Sequence, residues 1–588
     1  MALSLTKLQR QLDSYDSSKS TEIKEAKEAT NYYHGNQWSA EELAALAKRK
    51  QPPVTYNRVV RKINGVVGLI EKMRQDPKAY PVTPVHEEGA ELATAVLRYV
   101  LEASNWRALS VASTLDCAIN GLSGVEVNLV QGDHGDPDIE LTLTTFEDFF
   151  YDPRSKKSDF SDARYMGTAK WLGIDEAKEL FPDKAEELEN VKDSGSLNQK
   201  DAGARKWINI DEGKIYLVDH WFVENGDWNY CLYCADLELM RGKSFLVDDR
   251  GKTLCRYVMF SCNIDQDYDR YGFVRALKSA QDEINYRRSK GLHTLHSRRI
   301  IADHNAVQDP DEVRAEAARP DAFILVNPNS RFEFDDASKA QDMRGQFEYL
   351  QEAKQEIENY GPNPALIGTG IENKSGRAIA LMQEAGISEL GPFIVQHKDW
   401  KIRIYRAIWG AVKQSWTAER WIRVTDDEEL AQFIQVNGFE LDQNGAPVVI
   451  NKLGSIDVDI VLDEGADVIT TQQETFETMI KLMPQLVNLS PPMQMLFIEM
   501  SSLPQSMKKK YTQLIEQTNQ PDPMMEQAKQ VELAGKTAGV KKTEADTAKT
   551  IAETAKSNAD TRKQILDTTL QEMATVPFMP GQQTAPLF

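Results

Sequence analysis

The chain has 588 residues, 41% of them apolar and 27% charged, so it is too apolar for wholesale disorder and long enough for about four domains of ~150 residues. Its 69 Lys and Arg against 90 Asp and Glu give a formal charge of −21, which excludes a protein that grips nucleic acid by general attraction to phosphate. Five cysteines, an odd and sparse set, fit free thiols in a reducing compartment. No stretch approaches the ~18 apolar residues of a membrane span, and Met1 to Leu12 holds no signal-peptide-like apolar run, so a soluble cytoplasmic chain is expected.

The first ~120 residues read as helical. Ile23, Ala26 and Ala29 precede an aromatic knot at Tyr32–Trp38, and Ser39 with Glu42 forms a capping box for a helix over Ala40–Lys50 that Pro52-Pro53 stops. Amphipathic helices follow over Asn57–Arg74 and Glu88–Ala103. From Gly124 the apolar period becomes two: Val125, Val127 and Leu129, then Ile139, Leu141 and Leu143, form a hairpin that Phe149–Pro153 closes. Further strands are expected near Tyr165–Leu172, Ile215–Val223, Tyr230–Tyr233 and Thr253–Cys262, with a polar loop at Asp193–Ala204.

Helix returns at Phe273. Leu277, Ala280, Ile284, Gly291 and Leu295 make one stripe running to Arg299, and Met343, Phe347, Leu350 and Ile357 mark a second helix over Ala340–Tyr360. Between them lies a compact insert, Ile301–Ser338, with strand signals at Phe323–Val326 and Arg331–Phe334. At 1.5 Å per residue each helix would be roughly 30–40 Å long, a stalk carrying a small head. Gly361-Pro362-Asn363-Pro364 ends the stalk, a flexible stretch runs over Ile367–Gly376, and a long helical region extends to Trp416 with a break near Gly391-Pro392. Strands are expected at Trp421–Val424, Phe433–Val436, Pro447–Ile450 and Ile456–Val461, and helices from Thr470 onward. In the last helix Ala545, Ala548, Ala552, Ala555 and Ala559 recur at heptad spacing. So thin a seam buries little area, which suits several copies packed side by side better than a solitary helix, and the end, Val576–Phe588, reads as mobile.

Most enzymatic chemistry fails on spacing. Gly242-Lys243-Ser244, Gly251-Lys252-Thr253 and Gly535-Lys536-Thr537 lack the earlier glycine of a P-loop, holding Leu237, Leu246 and Gln530 instead. Cys231 and Cys234, three apart on an expected strand, point to opposite faces, and Cys255 with Cys262 has no zinc-knuckle spacing. Asp265-x-Asp267-x-Asp269 opens like a calcium loop, but Arg270 and Ala276 stand where Gly and Glu are needed, leaving a solvated acidic turn. No nucleophile motif surrounds any of the eight histidines, so no catalytic residue, metal or cofactor is expected. One charge feature is local. Arg287, Arg288, Lys290, His293, His296, Arg298 and Arg299 gather at the end of the first stalk helix, favoured there by the helix dipole and by Asp335-Asp336, or facing a polyanion such as DNA.

Five segments in order carry a family likeness: Tyr33–Trp38 with Pro53–Asn57; Phe149–Pro153 with Ser161–Tyr165; Tyr271–Arg275 with Ala280–Asn285 and Arg288-Ser289; Asn363-Pro364 with Ser375–Ile379; and the Ala/Lys/Glu-rich terminal helix. With the helix–insert–helix layout, they make the chain resemble the portal (head-to-tail connector) proteins of short-tailed enteric bacteriophages. The resemblance implies an α+β portal fold and a homo-oligomeric ring, usually a dodecamer, in the virion at one capsid vertex, assembled in the host cytoplasm. Double-stranded DNA is packaged and ejected through it. The implied partners are the major capsid protein, scaffolding protein, terminase large subunit and tail adaptor protein, with no membrane. The implied parts are a mixed α/β wing (1–272 and, with a channel loop, 361–464), a stem (273–300 and 339–360), a clip (301–338), a helical crown (465–520), an α-helical barrel segment (521–575) and a tail (576–588). Channel-facing candidates are Thr369, Glu372, Asn373, Lys374, Ser375 and Arg377; DNA-facing basic candidates are Arg287, Arg288, Lys290, Arg298 and Arg299; the alanine seam would pack the barrel. An acidic, polar channel with isolated basic rings would let DNA slide, where paired cations would hold it by counterion release. A packaging ATPase fails the P-loop test; a different oligomeric adaptor or coiled-coil scaffold protein is the alternative.

Overall fold

A computed structural model describes residues 3–72, 76–83, 87–132, 135–193, 207–209, 211–248, 251–296, 300–317, 319, 321–334, 336–360, 390–425, 431–441 and 447–463, together with Lys556. The chain divides into two units, Met1–Val424 with Phe433–Glu464 and Thr425–Gln432 with Gly465–Phe588. The first unit is mixed helix and strand, as expected.

The largest core surrounds the helix Gly391–Ser415, where Pro392 sits in the first turn and its missing N–H is no loss. Trp400 and Trp409 on this helix are fully buried. The Trp400 ring stacks on Phe260 at 4.4 Å between centroids, and its Nε1 donates to the Val258 carbonyl at 2.8 Å. Phe260 belongs to a three-stranded antiparallel sheet ordered Tyr257–Ser261, Leu122–Val130, Asp138–Thr144. Helix Glu87–Ala103 buries Leu92, Val96 and Val100 in the same core, on the face that the sequence marks. The expected strand Thr253–Cys262 is shorter, Tyr257–Ser261, because Thr253 instead bridges Val247.

Two further departures concern partners. Asp76–Pro81 is a strand inside the stretch expected to be helical, pairing antiparallel with Val458–Asp463. Its sequence, with a proline at second and last place, argues against a strand; pairing on one side only accommodates both. Phe149–Tyr151 does not close the first hairpin. It pairs with Tyr165–Gly173 in a second, six-stranded sheet, continuing through Lys214–Glu224 and Asp227–Cys234 to Leu237–Lys243, with Ile208–Asn209 also on Lys214–Glu224. All three aromatic side chains are buried there, so this run has no alternation by which a face could be read. Leu237–Lys243 was not expected, since its turn, Ala235-Asp236, has no Gly or Asn and puts Ala235 at φ +50°.

Cys231 and Cys234 are both buried, in different clusters: Cys231 with Tyr151, Phe222 and Tyr233, Cys234 with Ile174, Ala177 and Ile215. All five cysteines are free thiols. The capping box at Ser39 is present, with Ser39 N donating to Glu42 at 2.8 Å and Glu42 N to Ser39 Oγ at 3.2 Å.

Lys401, on the buried face of Gly391–Ser415 and 7% exposed, is pushed down to about 8 from 10.5, chiefly by loss of hydration, against the pull of Glu71 and Asp76. Its folded pKa lies below its unfolded one, so between the two values the unfolded chain holds more protons. The resulting penalty is full below about 8 and fades as pH rises toward 10.5. Lys401→Met should therefore stabilise the chain at pH 7 by up to about 3 kcal/mol. Urea unfolding at pH 7 and pH 10 should show that gain shrinking at the higher pH.

Candidate functional site: a two-helix hairpin and its root

Helix Val274–His296 starts where two backbones cross closely. A Cβ on Gly272 would fall 2.3 Å from the Ala118 carbonyl oxygen, and one on Gly121, at φ +100°, would fall 2.4 Å from Tyr271 Cα. Leu277, Ala280 and Ile284 face Leu350, Ala353 and Ile357 of the helix Asp336–Asn359 and the buried Val59 and Ile63. This is the root half of the stripe the sequence marks; farther out, Leu295 and Phe347 are 53% and 60% exposed and join no core.

Beside it lie two buried carboxamides one turn apart. Gln281 Nε2 donates to the Tyr56 carbonyl at 3.0 Å and to Asn285 Oδ1 at 3.1 Å, while Gln281 Oε1 accepts Arg58 N at 3.0 Å. Asn285 Oδ1 also accepts Tyr56 N at 3.0 Å, and Asn285 Nδ2 donates to Gln37 Oε1 at 2.6 Å. Gln37 Nε2 in turn donates to the Tyr32 carbonyl at 2.8 Å. A turn further on, Ser289 Oγ donates to the Pro52 carbonyl at 2.6 Å and accepts Gln51 Nε2 at 2.9 Å. Tyr32 donates to Asp282 at 2.5 Å; desolvation first, then this bond, pushes the phenol pKa up. The extended segment 51–58 is thus clamped along the helix by its own backbone groups.

Of the basic cluster, Arg287 and Arg288 turn to different partners. Arg287 is half-buried, donating to Glu283 at 2.6 Å and Gln346 Oε1 at 3.2 Å, with its guanidinium 4.6 Å from the Tyr349 ring centroid. Arg288 lies 5.1 Å from the Tyr56 ring centroid and Arg58 5.3 Å from it, and Arg58 pairs with Glu358. Lys354 completes this group, its pKa lowered by desolvation, then by Arg288 and Arg58. Lys290 is exposed. Arg298 and Arg299, the side chain of His296, the loop candidates Thr369, Glu372, Asn373, Lys374, Ser375 and Arg377, and the seam Ala545, Ala548, Ala552, Ala555 and Ala559 lie outside the described residues.

At the far end, Ile300–Ala302 pairs antiparallel with Phe332–Phe334, followed in the loop by the short helix Pro310–Ala317. The strand expected at Phe323–Val326 does not form. Its backbone joins no ladder, and Phe323 and Leu325 are 79% and 77% exposed, so no apolar face is present to hold them.

The residues of the rejected motifs are held by ion pairs and hydrogen bonds within the protein. Lys243 lies in a strand with its Nζ 2.8 Å from Asp227 Oδ2, and Thr253 Oγ1 accepts Trp228 N at 2.7 Å. Asp265 Oδ1 accepts the amides of Asp267 at 3.0 Å and Asp269 at 2.9 Å, its Oδ2 pairs with Arg275 at 2.9 Å, and Asp269 pairs with Lys19 at 2.6 Å. Among the described residues no cluster of three His, Cys, Asp or Glu side chains could hold a metal, and no helix is long and apolar enough to cross a membrane.

Residues 9–227 and 223–564 match the pattern of the phage P22-like portal protein family. The chain belongs to that family. It is also similar to the portal protein of Helicobacter pylori bacteriophage KHP30, 22% identical over 424 residues, which cover 70% of this chain and 66% of that protein. In this portal-family chain, three of the runs that carry the likeness, Tyr33–Trp38, Pro53–Asn57 and Ala280–Asn285, meet in the carboxamide clamp. Their joint role was missed in the sequence, though two amides four apart beside an apolar stripe were a signal for it. Asn285→Ala would leave Tyr56 N and Gln37 Oε1 without their bonds in a buried setting, and should lower unfolding stability by about 2–4 kcal/mol. Thermal or urea melts check this.

Proposed function

We propose that the chain is a portal protein, forming a ring at one capsid vertex through which double-stranded DNA is packaged and later ejected. The observation that carries the reading is the family match running from residue 9 to residue 564, which takes in the hairpin and its small insert. The helices Val274–His296 and Asp336–Asn359 are the stem, and the segment between them is the clip, which meets the terminase large subunit and afterwards the tail adaptor. The body on either side in sequence is the wing, facing the major capsid protein and, during assembly, scaffolding protein. Residues 465–520 make the crown and 521–575 a barrel helix packed through its alanine seam. Thr369, Glu372, Asn373, Lys374, Ser375 and Arg377 face the channel.

The role is structural, a conduit without catalysis of its own, and its place is the virion. Each copy brings a charge of −21, and an acidic wall lets phosphates pass without the counterion release that would hold them. Lys290, exposed on the stem, and Lys374 and Arg377 on the loop supply isolated cations in that wall.

Light scattering on the purified chain tests the reading. With a subunit of 66.4 kDa, a ring of twelve should weigh about 800 kDa and show a central hole in end-on electron micrographs. A stable monomer with ATPase activity would overturn it, and a trimer or hexamer would favour an adaptor or scaffold.

A further inference from the structure

The clamp sets three elements side by side in a fixed order. Trp38 packs edge-on against Tyr286 at 4.9 Å, Tyr286 donates to Glu42, and Ser289 holds the Gln51–Pro52 corner. Counted around a helix of 3.6 residues per turn, Tyr286 and Ser289 lie about 140–200° from Ile284, which faces the second stem helix. The short helix Ala40–Lys48 and the second stem helix therefore flank the first stem helix on opposite sides. The root is a slab three helices wide.

The two outer edges of this slab carry opposite, unmatched charge. Helix Ala40–Lys48 ends in Lys48, Arg49 and Lys50, all exposed, with Lys50 turned out at φ +54°. The helix dipole favours a cation there, but does not account for three in a row. On the other edge Glu348, Glu352 and Glu356 stand four apart along Asp336–Asn359, all exposed. Like charges at that spacing destabilise a helix, and no cation of the described residues pairs with any of the three. The two edges are also at one level. Arg287, two residues before the Ser289 corner, reaches Gln346 and Tyr349, next to Glu348.

We propose that the tip Lys48–Lys50 of one copy docks on the Glu348–Glu352–Glu356 line of the next copy around the ring. One edge meeting the other is a heterologous, head-to-tail contact, the kind that closes into a ring, and each copy supplies both halves. Complementary charge fixes the hand of the contact and suppresses pairing of like edges. The inference rests on the ring reading above and adds which faces form the joint.

Charge reversal of the full chain tests it. One variant carries Lys48→Glu, Arg49→Glu and Lys50→Glu; a second carries Glu348→Lys, Glu352→Lys and Glu356→Lys; a third carries all six. In about 0.1 M salt the first two should each lose the ring at least roughly tenfold relative to wild type, while circular dichroism shows them folded. The third should recover it, and so should an equimolar mixture of the first two, in which each edge again finds its opposite. Rings from either single-edge variant at the wild-type level would overturn the inference, as would failure of both the third variant and the mixture to recover rings. A wild-type chain that forms no ring would instead overturn the reading on which the inference rests.

Discussion

Two carboxamides inside an otherwise apolar helix face constrain everything around them. Gln281 and Asn285 are almost wholly buried, and a buried amide left unmatched costs about 1–3 kcal/mol for each missing partner. Besides the bond between them, their partners are the backbone of Tyr56 and Arg58 and the side chain of Gln37, all outside the helix. An apolar contact would have tolerated sliding by a fraction of a turn. Hydrogen bonds of 2.6–3.0 Å do not, so the clamp fixes rotation and height of helix Val274–His296 against the body. Helix Asp336–Asn359 then inherits its position through Leu350, Ala353 and Ile357.

Charge is used in the same way further back. Glu22 is buried and its pKa is raised by desolvation, against which Arg270, Tyr151 and Lys19 work. Tyr151 donates to it at 2.7–2.8 Å, Arg270 N at 3.0 Å, and Lys19 spans from Glu22 to Asp269. This group ties helix Ser20–His34 to the six-stranded sheet through Tyr151 and to the start of helix Val274–His296 through Arg270 and the Gly272 crossing. Among the described residues, burial without a paired counter-charge shifts Lys401 and Arg403 down and raises Asp116 to about 6.

The sequence carried the regular elements where one local rule sufficed. The Ser39 box, the Glu87–Ala103 face and the Leu277–Ile284 stripe are each decided within a few residues. It failed where the deciding partner is remote. Asp76–Pro81 is a strand only because Val458–Asp463 lies beside it, and Phe149–Tyr151 looks the same whichever sheet it joins. Phe323–Val326 has strand composition but no ladder to enter. The hairpin was legible as two periodic helices around an insert. Its clamp was not, because Gln37 and Asn285 are 248 positions apart and each looks like an ordinary polar residue. Adjacent residues on a helix differ by about 100° in direction, so within the basic cluster Arg287 turns to Tyr349 while Arg288 turns to Tyr56, which a run of cations in the sequence does not show.

Length suggested several separate domains, and the pairing of Asp76–Pro81 with Val458–Asp463 shows why the first unit is not built that way. The chain leaves this body at Val274 and completes the core only when Gly391–Ser415 and the last strand are in place. The hairpin is thus an insertion in a body that encloses its root from both sides in sequence. Its two helices, 23 and 24 residues long, are each roughly 35 Å in length, with their root halves packed into the body. A load applied at the insert would travel along packed helices to a root of matched hydrogen bonds and close glycine crossings, where compliance is small. The insert itself has a three-residue ladder, and among its described residues only the small side chains of Ala306 and Ala317 are buried. Deformation would therefore concentrate in the insert and spare the root.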